Sequence, residues 1–208
     1  MIKFHIYILK GGIILNNKTK KFLEILLLFL ILSFVILLGI YIGENIQNKN
    51  LIKKVSKTYT ENIDIQDKND KAKDVEEVKI EIDGKSILGI LKIEKINFEG
   101  LVYEGTDSQI LNKGVGHFEQ TPILEGNPCF AAHNYYKYWA KLHNLKNGDS
   151  ISYISYLGTK NYEVNKIVEI SEKDWSLLKN TDENIITLIT CIKNQPEKRL
   201  CVQAKEKK

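Results

Sequence analysis

Three residues of this chain have side chains and spacing suited to nucleophilic catalysis. Cys191 ends a Thr-Leu-Ile-Thr-Cys motif, Arg199 follows it by eight residues, and His133 lies far upstream in a Phe-Ala-Ala-His-Asn segment. A cysteine nucleophile needs a partner that transfers protons and a donor that stabilises the oxyanion. Together the three side chains could supply these functions for acyl transfer through a thioester.

Strand alternation predicts that these three side chains share one surface. Successive side chains of a strand point to opposite faces, so Arg199 shares a face with Cys201, and His133 shares a face with Cys129. If the strands pair, Cys191 can meet both partners on one side of the sheet. Taken alone, each residue is better explained without catalysis, as a buried Cys, a hydrogen-bonded His or a surface Arg. The hypothesis therefore depends on their joint placement.

The order and spacing of several motifs resemble the sortase family. The resemblance runs from about Gly89 to Ala204. Besides the Thr-Leu-x-Thr-Cys motif and its Arg, it includes a Gly-Val-Gly-His-Phe stretch that ends at Phe118 and an Asn-Gly-Asp turn that ends at Asp149. The short loop between Cys191 and its Arg, and the Ala-His-Asn context, resemble class D most, with class B next.

This resemblance implies a fold and a reaction. The fold is mainly β, a closed eight-stranded barrel with one or two short helices, preceded by a single transmembrane helix. In the implied reaction Cys191 attacks the Thr carbonyl of an LPXTG-like sorting signal, His133 protonates the leaving amine, and Arg199 stabilises the oxyanion or positions the substrate. A cell-wall amine then resolves the acyl-enzyme. The implied partners are the sorting-signal peptide and this wall amine, with no cofactor and no metal.

Short alternating runs between Gly, Asn and Asp residues predict a β-rich domain over residues 80–208. Several short strands of this kind are typical of a closed or nearly closed barrel. One helix is predicted over Tyr135–Leu145. The predicted strands are Leu88–Ile96, Leu101–Gly105, Ile151–Tyr156, Asn161–Val168, Ile185–Cys191 and Arg199–Ala204.

The front of the chain contains a predicted membrane anchor. Residues Ile25 to Gly43 are uncharged and would form a helix about 28 Å long at roughly 1.5 Å per residue, close to the hydrocarbon thickness of a bilayer. Lysines before the span place the N-terminus in the cytoplasm and the barrel outside the cell. The predicted organisation is a cytoplasmic segment 1–21, a transmembrane helix 22–43, a polar stalk 44–79 and a catalytic barrel 80–208.

Charge and composition bear on which other functions are compatible with this sequence. Residues 1–79 hold 13 Lys and Arg against nine Asp and Glu, whereas residues 80–208 hold 17 of each. A neutral C-terminal domain without a basic stripe argues against nucleic acid as a partner. The stalk segment is polar and predicts a solvated linker. A lid that folds over the site would need an aromatic anchor, for which only Tyr59 is present.

Several alternatives remain open at this point. Cys129 and His133 could contribute to a zinc site, although the chain has no Cys-x-x-Cys or His-Glu-x-x-His motif. A disulfide between Cys129 and Cys201 would still leave Cys191 free. The chain could also be a membrane-tethered barrel that binds wall peptides without catalysis, or a sortase that acts mainly as a pilus polymerase or a hydrolase. A charged C-terminal end without a second apolar segment favours a wall-anchoring enzyme.

Overall fold

The N-terminal unit, Met1–Asn50, contains a hairpin and most of one long helix in the computed structural model, which describes residues 7–9, 12–14, 16–68 and 79–207. Strands β1 (Tyr7–Leu9) and β2 (Gly12–Ile14) pair antiparallel, and helix α1 spans Asn17–Lys68. The helix is long and apolar enough to cross a membrane by length and composition, because its apolar stretch contains an 18-residue window with a mean hydropathy of 3.1. Its apolar stretch lacks proline, so helical hydrogen bonding is uninterrupted.

The second unit begins inside α1, at Leu51, and this part of the helix packs on the barrel. Ile52, Val55 and Tyr59 lie on one helical face and are buried. The Tyr59 hydroxyl donates to the carbonyl oxygen of Ile87, and its ring packs edge-on against Tyr156. The expectation of a solvated stalk is therefore wrong for this segment, because three apolar side chains at helical spacing form a docking face. Residues 69–78 of the expected stalk lie outside the described residues.

Eight strands close into a barrel, as the resemblance implies. In order around the ring the strands are β4 (Lys85–Ile93), β5 (Phe98–Glu104), β6 (Val115–His117), β7 (Cys129–Ala131), β10 (Ile185–Ile192), β11 (Gln195–Glu206), β9 (Gly158–Ser171) and β8 (Ser150–Ser155). The ring closes because β4 and β8 also pair with each other. Neighbours pair antiparallel except β5 with β6 and β7 with β10, which are parallel. A short strand β3 (Ile80–Ile82) pairs with β4 outside the ring.

The interior of the barrel is filled by alternate side chains of these strands. Phe130, Leu188 and Val202 occupy paired positions on β7, β10 and β11, and none is more than 1% exposed. Because alternation places the next residue of each strand outside, the opposite faces of the same three strands form an outer surface. That outer surface carries the candidate catalytic residues.

The helix expected over Tyr135–Leu145 is absent, and irregular turns with a 3-10 helix at Leu142–Asn144 take its place. The amide of Trp139 donates to the carbonyl of His133, which is six residues away, so the chain cannot keep the four-residue hydrogen-bond spacing of an α-helix. Trp139 is buried against Phe98, and this packing sets the local path.

A second helix forms where the sequence analysis expected none. Helix α2 spans Ser108–Lys113, between β5 and β6. The Asp107 carboxylate accepts hydrogen bonds from the backbone amides of Gln109 and Ile110, at 2.7 and 3.1 Å. An Asp at this position satisfies the free amides of a helix start, so the capping residue was the available signal.

Candidate active site

Strand pairing puts Cys191 next to Arg199 and directs the chain after β7 toward it. On β10 and β11, Cys191 is directly paired with Arg199. On the other side of β10, Ile189 is paired with Ala131 of β7, the last pair of that ladder. The same register, continued by two residues along both parallel strands, would set His133 opposite Cys191. By this register the three residues form one row on the outer surface of the barrel, with adjacent strands about 4.8 Å apart.

His133 lies two residues beyond the end of β7, so its position depends on more than strand pairing. The Thr190 hydroxyl donates to the carbonyl oxygen of Ala132 at 2.7 Å, and the Ala132 amide donates to the carbonyl of Ile189 at 3.3 Å. These bonds join the residue before His133 to the residue before Cys191. Thr190 is buried and points away from the row, so its role is structural, as alternation predicts.

Exposure separates Cys191 from the other two cysteines. Its side chain is exposed, whereas Cys129 and Cys201 are fully buried. Burial raises the pKa of both the Cys129 and the Cys201 thiol to about 12. The attacking species of a cysteine is the thiolate. At neutral pH the two buried thiols stay protonated, and Cys191 is the cysteine available for nucleophilic attack.

The two buried cysteines do not form a disulfide. Both are free thiols, and they lie on β7 and β11, which flank β10 on opposite sides. Two strand spacings put their Cα atoms roughly 10 Å apart or more, whereas a disulfide spans about 4.4–6.8 Å. Within the described ranges, no group of three or more His, Cys, Asp and Glu side chains is placed to hold a metal ion. The Cys129 thiol instead donates to the carbonyl of Asn127.

The Arg199 guanidinium is held beside the row by three hydrogen bonds. Its Nη1 donates to the carbonyl oxygens of Pro196 and Lys198 at 2.6 and 2.8 Å, and its Nη2 contacts the Glu172 carboxylate at 3.1 Å. The side chain is 26% exposed. Guanidinium has five donors, so this arrangement leaves others for a substrate oxygen.

Aromatic side chains border the row on the histidine side. The ring of His133 stacks on Tyr135, with centroids 4.9 Å apart and planes 27° apart. Tyr135 and Tyr136 are both more than half exposed. Stacking of this kind restricts the orientation of the imidazole without using either ring nitrogen. Both nitrogens therefore remain available for proton transfer.

An apolar cluster lies next to the row on the outer surface. Its base is the next row of paired residues, Ala131, Ile189, Cys201 and Val168. Two loops cover this base, the β6–β7 loop (118–128) and the β9–β10 loop (172–184). Apolar side chains from these loops pack against the base, and they include Phe118, Leu177 and Leu178.

Sequence reasoning did not find these loop residues. Leu177 and Leu178 have no local signal, because they lie in a connection between strands and reach the cluster only through the fold. Trp175, in the same loop, is 57% exposed and makes an edge-to-face contact with Phe118. It therefore lies at the exposed edge of the cluster.

His117 and Asp149, which belong to two of the sequence motifs described above, make structural contacts. His117 is 1% exposed, with Nδ1 2.7 Å from the Glu104 carboxylate and Nε2 3.1 Å from the Pro122 carbonyl. Asp149 accepts a hydrogen bond from the amide of Lys146 in its turn. Their side chains are engaged in the barrel framework and not in the row.

Comparisons with known proteins agree with this fold. A sequence model of the sortase domain matches residues 91–207, more than half of the chain. The chain therefore belongs to the sortase family. It is similar to Sortase D of Bacillus subtilis (strain 168), with 34% identity over 107 residues that cover 50% of this chain and 53% of that protein. This similarity supports class D.

Solved structures of sortases also match this chain. Sortase A from Corynebacterium diphtheriae matches with a TM-score of 0.56 and 27% identity, over 60% of this chain and 62% of that chain. A pilus-related Sortase C of Group B Streptococcus matches with a TM-score of 0.56 and 26% identity, over 62% and 70%. The chain spans about half the length of the curated relatives it matches.

Proposed function

We propose that this protein is a membrane-anchored cysteine transpeptidase. It cleaves an LPXTG-like sorting signal through a thioester acyl-enzyme and transfers the surface protein to an amine of the cell wall. The observation that carries the proposal is that the exposed Cys191 is directly paired with Arg199, while His133 follows the strand on the other side of β10. Members of the sortase family, to which the chain belongs, are cysteine transpeptidases.

The reaction proceeds in two balanced steps. The Cys191 thiolate attacks the Thr carbonyl carbon, a C–S bond forms, and the C–N bond to the following Gly breaks as His133 protonates the leaving amine. His133, now neutral, takes a proton from the incoming amine, which attacks the thioester and releases the thiolate. Arg199 donates to the oxyanion of each tetrahedral intermediate or positions the peptide.

The apolar cluster beside the row suits the substrate class of this reaction. An extended peptide that lies along the row would bring an apolar side chain against the partly exposed edge of the cluster, which includes Ala131 and Leu177. A Leu three residues before the cleavage-site Thr would supply such a side chain, since a strand rises about 3.3 Å per residue.

The decisive experiment mixes the full chain in detergent with an LPXTG-containing peptide, with and without a triglycine acceptor. The full chain is used because α1 packs on the barrel. We expect cleavage after Thr, and we expect the acceptor to replace most of the hydrolysis product by the ligated peptide, detected by mass spectrometry. Binding without cleavage would favour the non-catalytic barrel. Cleavage that ignores the amine would favour a hydrolase.

The proposed location is the cell membrane, crossed once, with the barrel outside the cell. Lys18, Lys20 and Lys21 precede the apolar part of α1 and support an N-terminus in the cytoplasm. Protease added to intact protoplasts should therefore degrade the barrel and spare the N-terminus, as followed with a tag at each end. A protected barrel would reverse the orientation and remove cell-wall substrates from consideration.

A further inference from the structure

The side chain of Asn127, near the end of the β6–β7 loop, is fully buried and hydrogen-bonded to two other elements. Its Nδ2 donates to the carbonyl oxygens of Leu177 and Lys179, both at 2.9 Å. Its Oδ1 accepts from the Thr187 hydroxyl at 2.7 Å. Both protons of this amide and one of its acceptor positions are thus used across separate parts of the chain.

Neighbouring bonds join the same two loops. The backbone amide of Asn127 donates to Asn180 Oδ1 at 3.1 Å, and the backbone amide of Gly126 donates to Asn184 Oδ1 at 2.8 Å. The Ile185 amide donates to the Gly126 carbonyl at 2.7 Å. Gly126 has a φ of +71°, and a Cβ there would collide with Asn180 Oδ1. We call the bonds made by the Asn127 side chain the amide clamp.

The amide clamp holds the β9–β10 loop on the apolar cluster beside the row. Leu177, whose carbonyl accepts from Asn127, and the adjacent Leu178 belong to the same cluster as Ile189 and Cys201. Leu178 is 8% exposed. Strand β7 begins two residues after Asn127 and leads to His133. The clamp therefore sets the distance between the β9–β10 loop and the strand that precedes the histidine.

We infer that Asn127 is a positioning residue for substrate binding, and this inference rests on the proposed function. It keeps the β9–β10 loop packed against the barrel, beside the row, before the peptide arrives. Asn127 does not belong to the row of candidate catalytic residues, so it acts through Leu177 and Leu178. A preorganised loop avoids the cost of ordering it on binding. Loss of the clamp should therefore weaken peptide binding more than it slows the chemistry.

The test replaces the amide without changing its size. In Asn127→Asp an ionised carboxylate faces the carbonyls of Leu177 and Lys179 with no proton to donate. Asn165→Asp makes the same chemical change at an exposed position of β9 and is the matched control. Two quantities are measured on the full chain in detergent: KM and kcat for the sorting-signal peptide, and the rate at which a small thiol reagent modifies the buried cysteines in a Cys191→Ala background.

We expect Asn127→Asp to raise KM at least about tenfold with kcat within about threefold, the pattern of lost binding rather than lost chemistry. Because the β9–β10 loop covers Cys201 and packs against Cys129, their modification should accelerate at least about tenfold through local opening. Asn165→Asp should leave both quantities unchanged. Thr187→Val, which removes the hydroxyl that donates to Asn127, should act in the same direction with a smaller effect, and Thr187→Ser should restore wild-type values.

Wild-type KM together with wild-type protection of both thiols in Asn127→Asp would overturn the inference. A fall in kcat and thermal stability without a change in KM would also overturn it, because that is the result of a structural role alone. If Asn127→Asp does not fold, Thr187→Val decides by the same two measurements. Failure of the wild-type protein to cleave any sorting-signal peptide would contradict the proposed function instead, and thiol protection would still test the clamp.

Discussion

Cys191→Ala is expected to abolish formation of the acyl-enzyme while the barrel stays folded. The thioester requires sulfur at this position, and no other group in the row can replace it as the nucleophile. Because the Cys191 side chain is exposed, its truncation should change the free energy of unfolding by no more than about 0.5 kcal/mol. Mass spectrometry of the protein mixed with a sorting-signal peptide measures the adduct directly, and thermal unfolding checks the fold.

Two matched variants separate this effect from a general loss of thiols. Cys129→Ala and Cys201→Ala remove the buried cysteines, whose thiols remain protonated at neutral pH because burial raises the pKa of each to about 12. Both variants should lose some stability, since a small cavity replaces each sulfur, but should still form the acyl-enzyme. An adduct on Cys191→Ala, or its loss in either control variant that remains folded, would contradict the assignment of the nucleophile.

Arg199→Ala is expected to lower the rate of acylation by about 10²–10³-fold, the usual loss when one oxyanion donor is removed, or about 2.7–4 kcal/mol. Arg199→Lys should recover little of this rate. Lys carries the same charge, but it lacks the planar fork of donors that can bind a carbonyl oxygen while holding Glu172. Single-turnover acylation under saturating peptide is the appropriate measurement, because it excludes the later transfer step.

Glu172→Gln is the control for this prediction. In the structure the Arg199 guanidinium contacts Glu172, so a purely structural Arg would act through that pair. An ion pair that is partly exposed contributes little, about 0–1 kcal/mol. We therefore expect Glu172→Gln to change acylation only a few-fold. Equal losses in Glu172→Gln and Arg199→Ala would show that the ion pair, and not the oxyanion, explains the effect.

The residues that could carry out the chemistry were predictable from the sequence. The motif that ends at Cys191, the Arg eight residues later and the distant His133 indicate a thiol nucleophile with two partners, because such chemistry needs these side chains. Strand alternation then placed Arg199 and Cys201 on one face, which the strand pairing reproduces. A long uncharged stretch predicted the membrane helix from its length alone. These inferences depend on neighbouring residues, so the sequence holds the information they need.

Tertiary structure decided the features that depend on distant residues. Alternation placed Cys201 beside Arg199 but could not show that the β9–β10 loop buries it, since that loop covers the barrel only after the strands have paired. The polar composition of the expected stalk gave no indication of the docking face around Tyr59. Three apolar side chains change the average composition little, but together they bury one side of a helix. The Tyr135–Leu145 segment does not form the expected helix, because the packing of Trp139 sets a different path for the chain.

The candidate site depends partly on the sequence alone and partly on the tertiary structure. The sequence by itself determined which residue types are present and which face of each strand they occupy, since both follow from order along the chain. The row of His133, Cys191 and Arg199 also needs the register between β7, β10 and β11. Register is set by contacts between strands that are more than fifty residues apart for β7 and β10. A shift by one residue would turn every side chain to the other face, so only the closed barrel decides whether the three residues share one row.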